Sequence, residues 1–191
     1  MITRIERDIF FAAGVHFDDA YYINTYDFLL SMLVETDIPK EHTIAMDRFD
    51  LFIKNAATNA VFINEEKHEE IEKYKEAGLK IITLPGEPFD QIVAMVLLLK
   101  LNAIMENRIK ITDITISSLL GEGIRYPIVT ETAENADIML GDKWWHNSDI
   151  ETTNQNVFKF EPENNIVKLF DDSIWAQYDL SWKDKPKNLL T

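Results

Sequence analysis

The sequence contains no cysteine, and this absence alone removes several kinds of site. Without thiols there is no disulfide bond, no thiolate metal ligand and no cysteine nucleophile. The histidines are few and far apart, and none forms a pair at the spacing of zinc ligands on a helix: His16, His42, His68 and His146. The sequence therefore predicts neither a metal site nor a bound cofactor.

Positive charge is also scarce. The chain has 19 lysines and arginines against 33 aspartates and glutamates, which gives a net charge of -14. Such a balance repels nucleic-acid phosphates and anionic lipid headgroups unless cations are locally concentrated. The nearest approach to a cluster is Lys183, Lys185 and Lys187, close to the end of the sequence. We expect no nucleic-acid partner, and we expect any protein partner to be basic.

Long hydrophobic runs are missing as well. The longest, Ile92 to Leu99, is far shorter than the roughly 20 residues that cross a bilayer. Residues Met1 to Asp8 carry charges of both signs, unlike a secretion signal. We expect a cytoplasmic protein without membrane contact. Lysine outnumbers arginine, which is typical of AT-rich genomes, and a phage or mobile-element origin is one interpretation.

What the chain does have is a high apolar fraction, 46%, spread evenly along its length. No repeat or low-complexity stretch divides it, so residues 1–191 are predicted to form a single domain around one core. The first third predicts a strand at Arg4–Ala13, an amphipathic helix at His16–Val34 that opens on Asp18 and Asp19, and a second helix within Glu41–Ala57.

The middle of the chain alternates strand-like and helix-like patterns, which is typical of α/β folds. Asn64 is expected to cap a helix with Glu65 and Glu66 in its first turn, and Gly78 to end that helix. A shift of phase at Thr112 and Asp113 suggests a bulge. The fold class predicted is α/β, a short three-layer core with a parallel β-α-β-α-β unit at about 60–117: strand Ala60–Ile63, helix to Gly78, strand Leu79–Leu84, helix Phe89–Met105, strand Arg108–Ser117.

From about residue 124 the pattern predicts a β-rich, partly antiparallel region within the same domain. Its candidate strands are Tyr126–Thr130, Asp137–Leu140, Val157–Phe160 and Ile166–Phe170, the last two as a hairpin.

Two groups of residues are candidates for function. Sites in open parallel sheets form at the carboxyl ends of the strands, where Asn64, Glu87, Asp90 and Ser118 are expected to converge. No nucleophile elbow surrounds Ser118, and turn geometry alone also explains the Pro and Gly near Glu87.

The second group is Trp144, Trp145 and His146, which could anchor a protein partner or, alternatively, anchor the C-terminal region to the core.

The missing catalytic motifs favour a non-enzymatic interaction or regulatory protein that offers acidic and aromatic surface to a basic partner. An enzyme or small-ligand protein using the carboxyl edge is the alternative.

Overall fold

The structure is a computed structural model that describes residues 3–137 and 143–149. These residues form six strands and four α-helices, in chain order β1 Thr3–Phe17, β2 Ala20–Val34, α1 Pro39–Phe52, β3 Ala60–Asn64, α2 His68–Glu76, β4 Lys80–Leu84, α3 Asp90–Met105, β5 Ile109–Ser118, β6 Tyr126–Val129 and α4 Thr130–Asp137. A π-helical turn (Ile53–Ala57) extends α1, and Trp144–His146 form a 3₁₀ turn. Within these ranges no helix combines the length and the apolar character needed to cross a membrane.

All six strands belong to one mixed sheet in the order β4-β3-β1-β2-β5-β6, so the α/β fold class is confirmed. β1 pairs antiparallel with β2 and parallel with β3, and β3 pairs parallel with β4. β5 and β6 continue the sheet beyond β2 by antiparallel pairing. Strands β3, β4 and β5 therefore run in one direction, as the β-α-β-α-β unit requires. The β1–β2 hairpin, however, lies between β3 and β5, so these strands do not form three adjacent parallel neighbours.

The predicted helix at His16–Val34 is wrong, because this segment is the turn and second strand of a long hairpin. Asp18 and Asp19 have φ angles of 50° and 57° and reverse the chain, so that Phe17 pairs with Ala20. Two successive positive φ values are the signature of a type I′ hairpin turn, which aspartate tolerates. Burial along β2 then alternates with period two through Asn24, Tyr26, Phe28, Leu30 and Met32.

The predicted elements of the middle segment are confirmed, with several boundaries shifted, the largest shift being at the start of α2. Asn64 does not cap α2; its side-chain oxygen accepts the N–H of Glu66 at 3.0 Å, and Glu69 and Glu70 occupy the first helical turn. Gly78 ends the helix at φ 76°, a conformation that strains other residues.

The bulge in β5 is also confirmed. Ser31 pairs with Asp113 and Met32 pairs with Ile111, so Thr112 is the extra residue. Its backbone position is supported by Asn102 of α3, whose side-chain oxygen accepts the N–H of Ile111 at 2.7 Å.

Of the predicted C-terminal strands, the first is confirmed as β6. The second is wrong at Asp137, which ends helix α4, while residues 138–140 lie outside the described residues. The predicted hairpin strands Val157–Phe160 and Ile166–Phe170 also lie outside them.

Helices α1 and α3 cover one face of the sheet and enclose the main core. Phe11, Tyr26, Phe28 and Phe62 form its aromatic centre, with ring centroids 5.5 to 6.4 Å apart. Since side chains alternate along a strand, His16 and Tyr21 project from the opposite face, where both contact Tyr74 of α2. The predicted three-layer core is therefore present at the β3–β4 end, where α2 supplies the third layer.

We expect Leu97→Ala to lower the free energy of unfolding by about 2 to 5 kcal/mol, because Leu97 lies buried in α3 against the sheet and its truncation leaves a cavity. Chemical denaturation of the variant measures the loss. Gln91→Ala, an exposed position in the same helix, is the matched control and should change stability little. An unchanged midpoint for Leu97→Ala would show that this helix is not central to the core.

Candidate functional site

The structure brings the four residues predicted at the carboxyl edge together as two hydrogen-bonded pairs. Asn64, at the end of β3, donates its side-chain N–H to Oε1 of Glu87 at 3.1 Å. Ser118, at the end of β5, donates its hydroxyl to Oδ2 of Asp90 at 3.0 Å. Both pairs join a strand end to the loop or first turn that leads into α3. The edge thus gathers polar side chains, and those side chains bind one another.

The Ser118–Asp90 pair is buried and closes the loop after β5. The Ser118 hydroxyl also accepts the N–H of Gly121 at 3.0 Å, and Asn24 accepts the N–H of Leu120 at 3.0 Å. Burial raises the pKa of Asp90, and the hydrogen bond from Ser118 partly opposes this shift. The pair therefore holds the loop: the Ser118 hydroxyl donates to Oδ2 of Asp90 and accepts the Gly121 N–H.

Glu87 is the exception at this edge. Its Oε2 is buried and has no hydrogen-bond partner among the described residues, although Lys67 lies close enough to interact with it electrostatically. Lys67 is itself bound to Asp19 at 2.8 Å, which ties the hairpin turn to the loop before α2.

Within the part of the chain that the structure describes, the edge does not assemble a catalytic constellation. His16, which could serve as a base, contacts the Tyr74 hydroxyl through Nδ1 at 2.9 Å on the opposite face of the sheet from the Ser118–Asp90 pair. In residues 3–137 and 143–149, no three histidine, aspartate or glutamate side chains are grouped so as to hold a metal ion. Among the described residues, the Ser118 hydroxyl is therefore bound by the Asp90 carboxylate and not by a histidine.

We expect Ser118→Ala to destabilise the protein by about 1 to 3 kcal/mol, because it leaves the buried Asp90 carboxylate and the Gly121 N–H without their partner. Ser117→Ala is the matched control, since Ser117 projects from the other face of β5 and is only half-buried. Urea unfolding of both variants provides the comparison, and equal stability of the two would contradict a structural role for the pair.

The structure gives the three residues of the second predicted group different degrees of exposure. These residues are Trp144, Trp145 and His146. The Trp145 side chain is 0% exposed and belongs to the core, so it offers no surface to a partner. Trp144 is half-buried, and its indole N–H donates to the carbonyl of Thr83 on the edge strand β4 at 3.1 Å. His146 is exposed. The interpretation of the tryptophans as an anchor of the chain accounts for their contacts.

A pocket of about 460 Å³ opens beside His146, between the end of α3 and helix α4. Its wall carries charges of both signs, Lys110 with Glu106 and Glu134. Glu106 is already bound by Arg48 at 3.0 Å and by Arg108 at 3.2 Å. The pocket therefore lacks a set of polar groups of one kind directed at a common point.

Sequence reasoning missed Lys100, which fastens this segment to α3. The Lys100 side chain is fully buried, and its ammonium donates to the carbonyls of Trp144 at 3.3 Å and Asn147 at 2.9 Å, and to the Asn147 side chain. It also lies 5.4 Å from the centre of the Trp144 ring. Burial lowers the pKa of Lys100 to about 8, and the nearby Asp149 carboxylate partly opposes this. The signal available in the sequence was a lone lysine in an otherwise apolar helix.

The low pKa of Lys100 predicts a rise in stability with pH. Between about pH 8 and pH 10 the unfolded chain, with a lysine pKa of 10.5, binds the proton that the folded chain has lost. The free energy of unfolding should therefore increase by about 1 to 2 kcal/mol over this interval. Above pH 10 the buried Tyr26, whose pKa is raised by burial, acts in the opposite direction.

Denaturation at pH 7.5, 8.5 and 9.5 measures the effect, with Lys100→Met as the control that should lose the pH dependence. A native chain whose stability stays flat or falls over this range would contradict the shift.

A third surface emerges only from the observed topology. We define the open sheet face as the side chains of β1, β2 and β5 that point away from α1 and α3. Its most exposed apolar members are Phe10 at 72%, Ile23 at 70% and Leu29 at 41%. The register places Phe10 diagonally beside Leu29, and only the small pair Ala12 and Thr25 separates Phe10 from Ile23. In the described part of the chain, α2 borders this face through Tyr21 but does not cover it.

Acidic side chains are interspersed on the open sheet face. Glu6, Asp8 and Asp27 are exposed there, and Asp27 lies directly across from Phe10. A fourth acid, Asp113, pairs with Arg4 at 3.6 Å. The surface is thus both apolar and negatively charged.

Comparison with known proteins adds no identity. No protein-family model matches this chain, and no curated protein sequence matches it. The function must therefore be argued from the geometry of its surfaces.

Proposed function

We propose that this protein is a non-enzymatic interaction or regulatory protein that binds a basic protein partner through its open sheet face. The observation that carries the proposal is the exposure of Phe10, Ile23 and Leu29 on one side of the sheet. Large apolar side chains grouped in this way on an otherwise polar surface are typical of binding sites. They take the anchoring role that the sequence suggested for Trp144 and Trp145.

The negative charge of the open sheet face indicates which class of partner it binds. Glu6, Asp8 and Asp27 lie beside Phe10 and Leu29 on this face, and the whole chain carries a net charge of -14. A basic protein is attracted to such a surface and a nucleic acid is repelled from it. Opposite charge speeds the encounter, while desolvation of the aromatic and aliphatic side chains slows dissociation.

The alternative function, an enzyme or small-ligand protein using the carboxyl edge, has less support. The side chains of Asn64, Asp90 and Ser118 form hydrogen bonds with other residues of the chain. The unpaired oxygen of Glu87 favours a ligand at this edge. A ligand site, however, usually has several polar groups directed at one point, and Glu87 supplies one acceptor.

A double variant, Phe10→Ser with Ile23→Ser, tests the proposal. We expect it to fold with nearly unchanged stability, because both side chains are exposed, and to lose at least ten-fold in affinity for its partner. Partners are captured from an extract of the source cells by the native full-length chain and quantified by mass spectrometry at two salt concentrations.

The matched control is Ile38→Ser with Ile124→Ser, two exposed apolar residues in loops outside the strands of the open sheet face. Proteins captured by the native chain and the control, but not by the Phe10/Ile23 variant, support the proposal. Equal capture by both double variants, or salt-sensitive binding of duplex DNA by the native chain, would overturn it.

A further inference from the structure

We infer that the partner contributes an extended basic segment, which adds as a strand to the free edge of β1. This inference rests on the proposed function, because three residues of the open sheet face, Glu6, Asp8 and Phe10, lie on this edge. The edge itself follows from the topology. β3 pairs with β1 only at Gly14 and Val15, so the first part of β1 has β2 on one side and, in the described residues, no strand on the other.

The direction of each backbone group along this edge can be assigned. The carbonyl of Ala12 accepts the N–H of Asn59, so the backbone groups of Ala12 point away from β2. Because successive residues of a strand alternate in direction, Arg4, Glu6, Asp8 and Phe10 also point their N–H and C=O groups away from β2. None of these groups takes part in a backbone hydrogen bond among residues 3–137 and 143–149. They form a template for strand addition.

The side chains along the edge specify the occupant. On the open sheet face, an added strand would place alternate side chains beside Glu6 and Asp8, where lysine or arginine is favoured. On the other face its remaining side chains would lie beside Ile5 and Ile9, which are half-buried against the core, and beside Arg7, whose charge is paired with Asp50. The edge therefore selects a segment in which basic and apolar residues alternate.

The same charges disfavour a second copy of this chain as the occupant. Each copy would bring Glu6 and Asp8 to an edge whose cation on that face, Arg4, is already paired with Asp113, on a chain of net charge -14. A strand from residues 150–191 of the same chain is a separate outcome, and the experiment distinguishes it from binding of a partner.

The test is amide hydrogen exchange, read residue by residue by NMR on the full-length chain. Alone, the chain should exchange rapidly at Glu6, Asp8 and Phe10 and slowly at Arg7 and Ile9, whose N–H groups point toward β2. The probe is a seven-residue peptide that alternates lysine and valine, and it should slow exchange at the outward amides at least ten-fold. The control peptide, which alternates glutamate and valine, should not.

Proline at an outward position removes the donor that an added strand needs, and edge positions whose N–H faces solvent tolerate proline. Asp8→Pro should therefore abolish protection by the probe peptide and capture of the partner, while Asp8→Asn, which keeps the N–H, should retain at least one third of the native affinity. If Asp8→Pro fails to fold, N-methylation of alternate residues of the probe peptide removes the same hydrogen bonds from the other side.

Four results would overturn the inference. The first is slow exchange at Glu6, Asp8 and Phe10 in the isolated monomer, which would mean that residues of the same chain already occupy the edge. The second is a dimer in sedimentation whose contacts protect these amides. The third is capture of the partner that is lost in the Phe10/Ile23 variant but unaffected by Asp8→Pro; in that case the proposed function stands and strand addition fails. The last is capture that is unchanged in both the Phe10/Ile23 variant and Asp8→Pro, which would contradict the proposed function as well as strand addition.

Discussion

The β1–β2 hairpin is the constraint on which the rest of this structure depends. Its fifteen paired positions run from Thr3 and Val34 to Phe17 and Ala20, and the reversal at Asp18 and Asp19 fixes their register. A slip of one residue would reverse the faces of one strand relative to the other, so that Tyr26 and Phe28 of β2 would no longer share the core face with Phe11 of β1. Because the hairpin occupies the centre of the sheet, it also decides which surfaces remain open: β3 and β4 pair on one side of it, β5 and β6 on the other.

The hairpin is also the element for which the hydrophobic periodicity of the sequence gave a wrong prediction, a helix, and the reason is physical. A spacing of four residues, as between Tyr26 and Leu30, places two side chains on one face both in a helix and in a strand. Only the spacings of three, such as Tyr26 to Leu29, distinguish the two, and here Tyr26 is buried while Leu29 is exposed. The segment from residue 60 to residue 118 was predictable because turn residues such as Gly78 mark its boundaries. Strand order was not, since it depends on which surfaces the hairpin leaves for pairing.

The candidate sites show the same division between local and long-range information. The sequence could place Asp90 and Ser118 close together, because each follows or ends a strand at the carboxyl edge of the sheet. Locating that edge requires only the direction of the strands. Trp144 and Trp145 are neighbours in sequence, yet one is half-buried and the other lies in the core, and this difference depends on how residues 143–149 pack on α3. Lys100 holds that segment by hydrogen bonds to backbone carbonyls, and the sequence does not indicate which carbonyls its side chain will reach.

The open sheet face and the free edge of β1 are consequences of one arrangement rather than two separate features. α2 packs beside β4 and reaches the hairpin through Tyr74, which contacts His16 and Tyr21 near the turn and leaves the rest of the outward side of β1 and β2 uncovered in the described residues. β3 begins at Ala60, opposite the last part of β1, so the outer edge of the first part has no strand beside it among the described residues. An uncharged surface of this kind would pair with copies of itself. Glu6 and Asp8 lie where the face meets the edge, so the same two carboxylates that oppose self-association also attract a cationic segment. Under the proposed function, the acidity of the chain is more than a general aid to solubility, because at this place in the fold it would discriminate between a second copy and a basic partner.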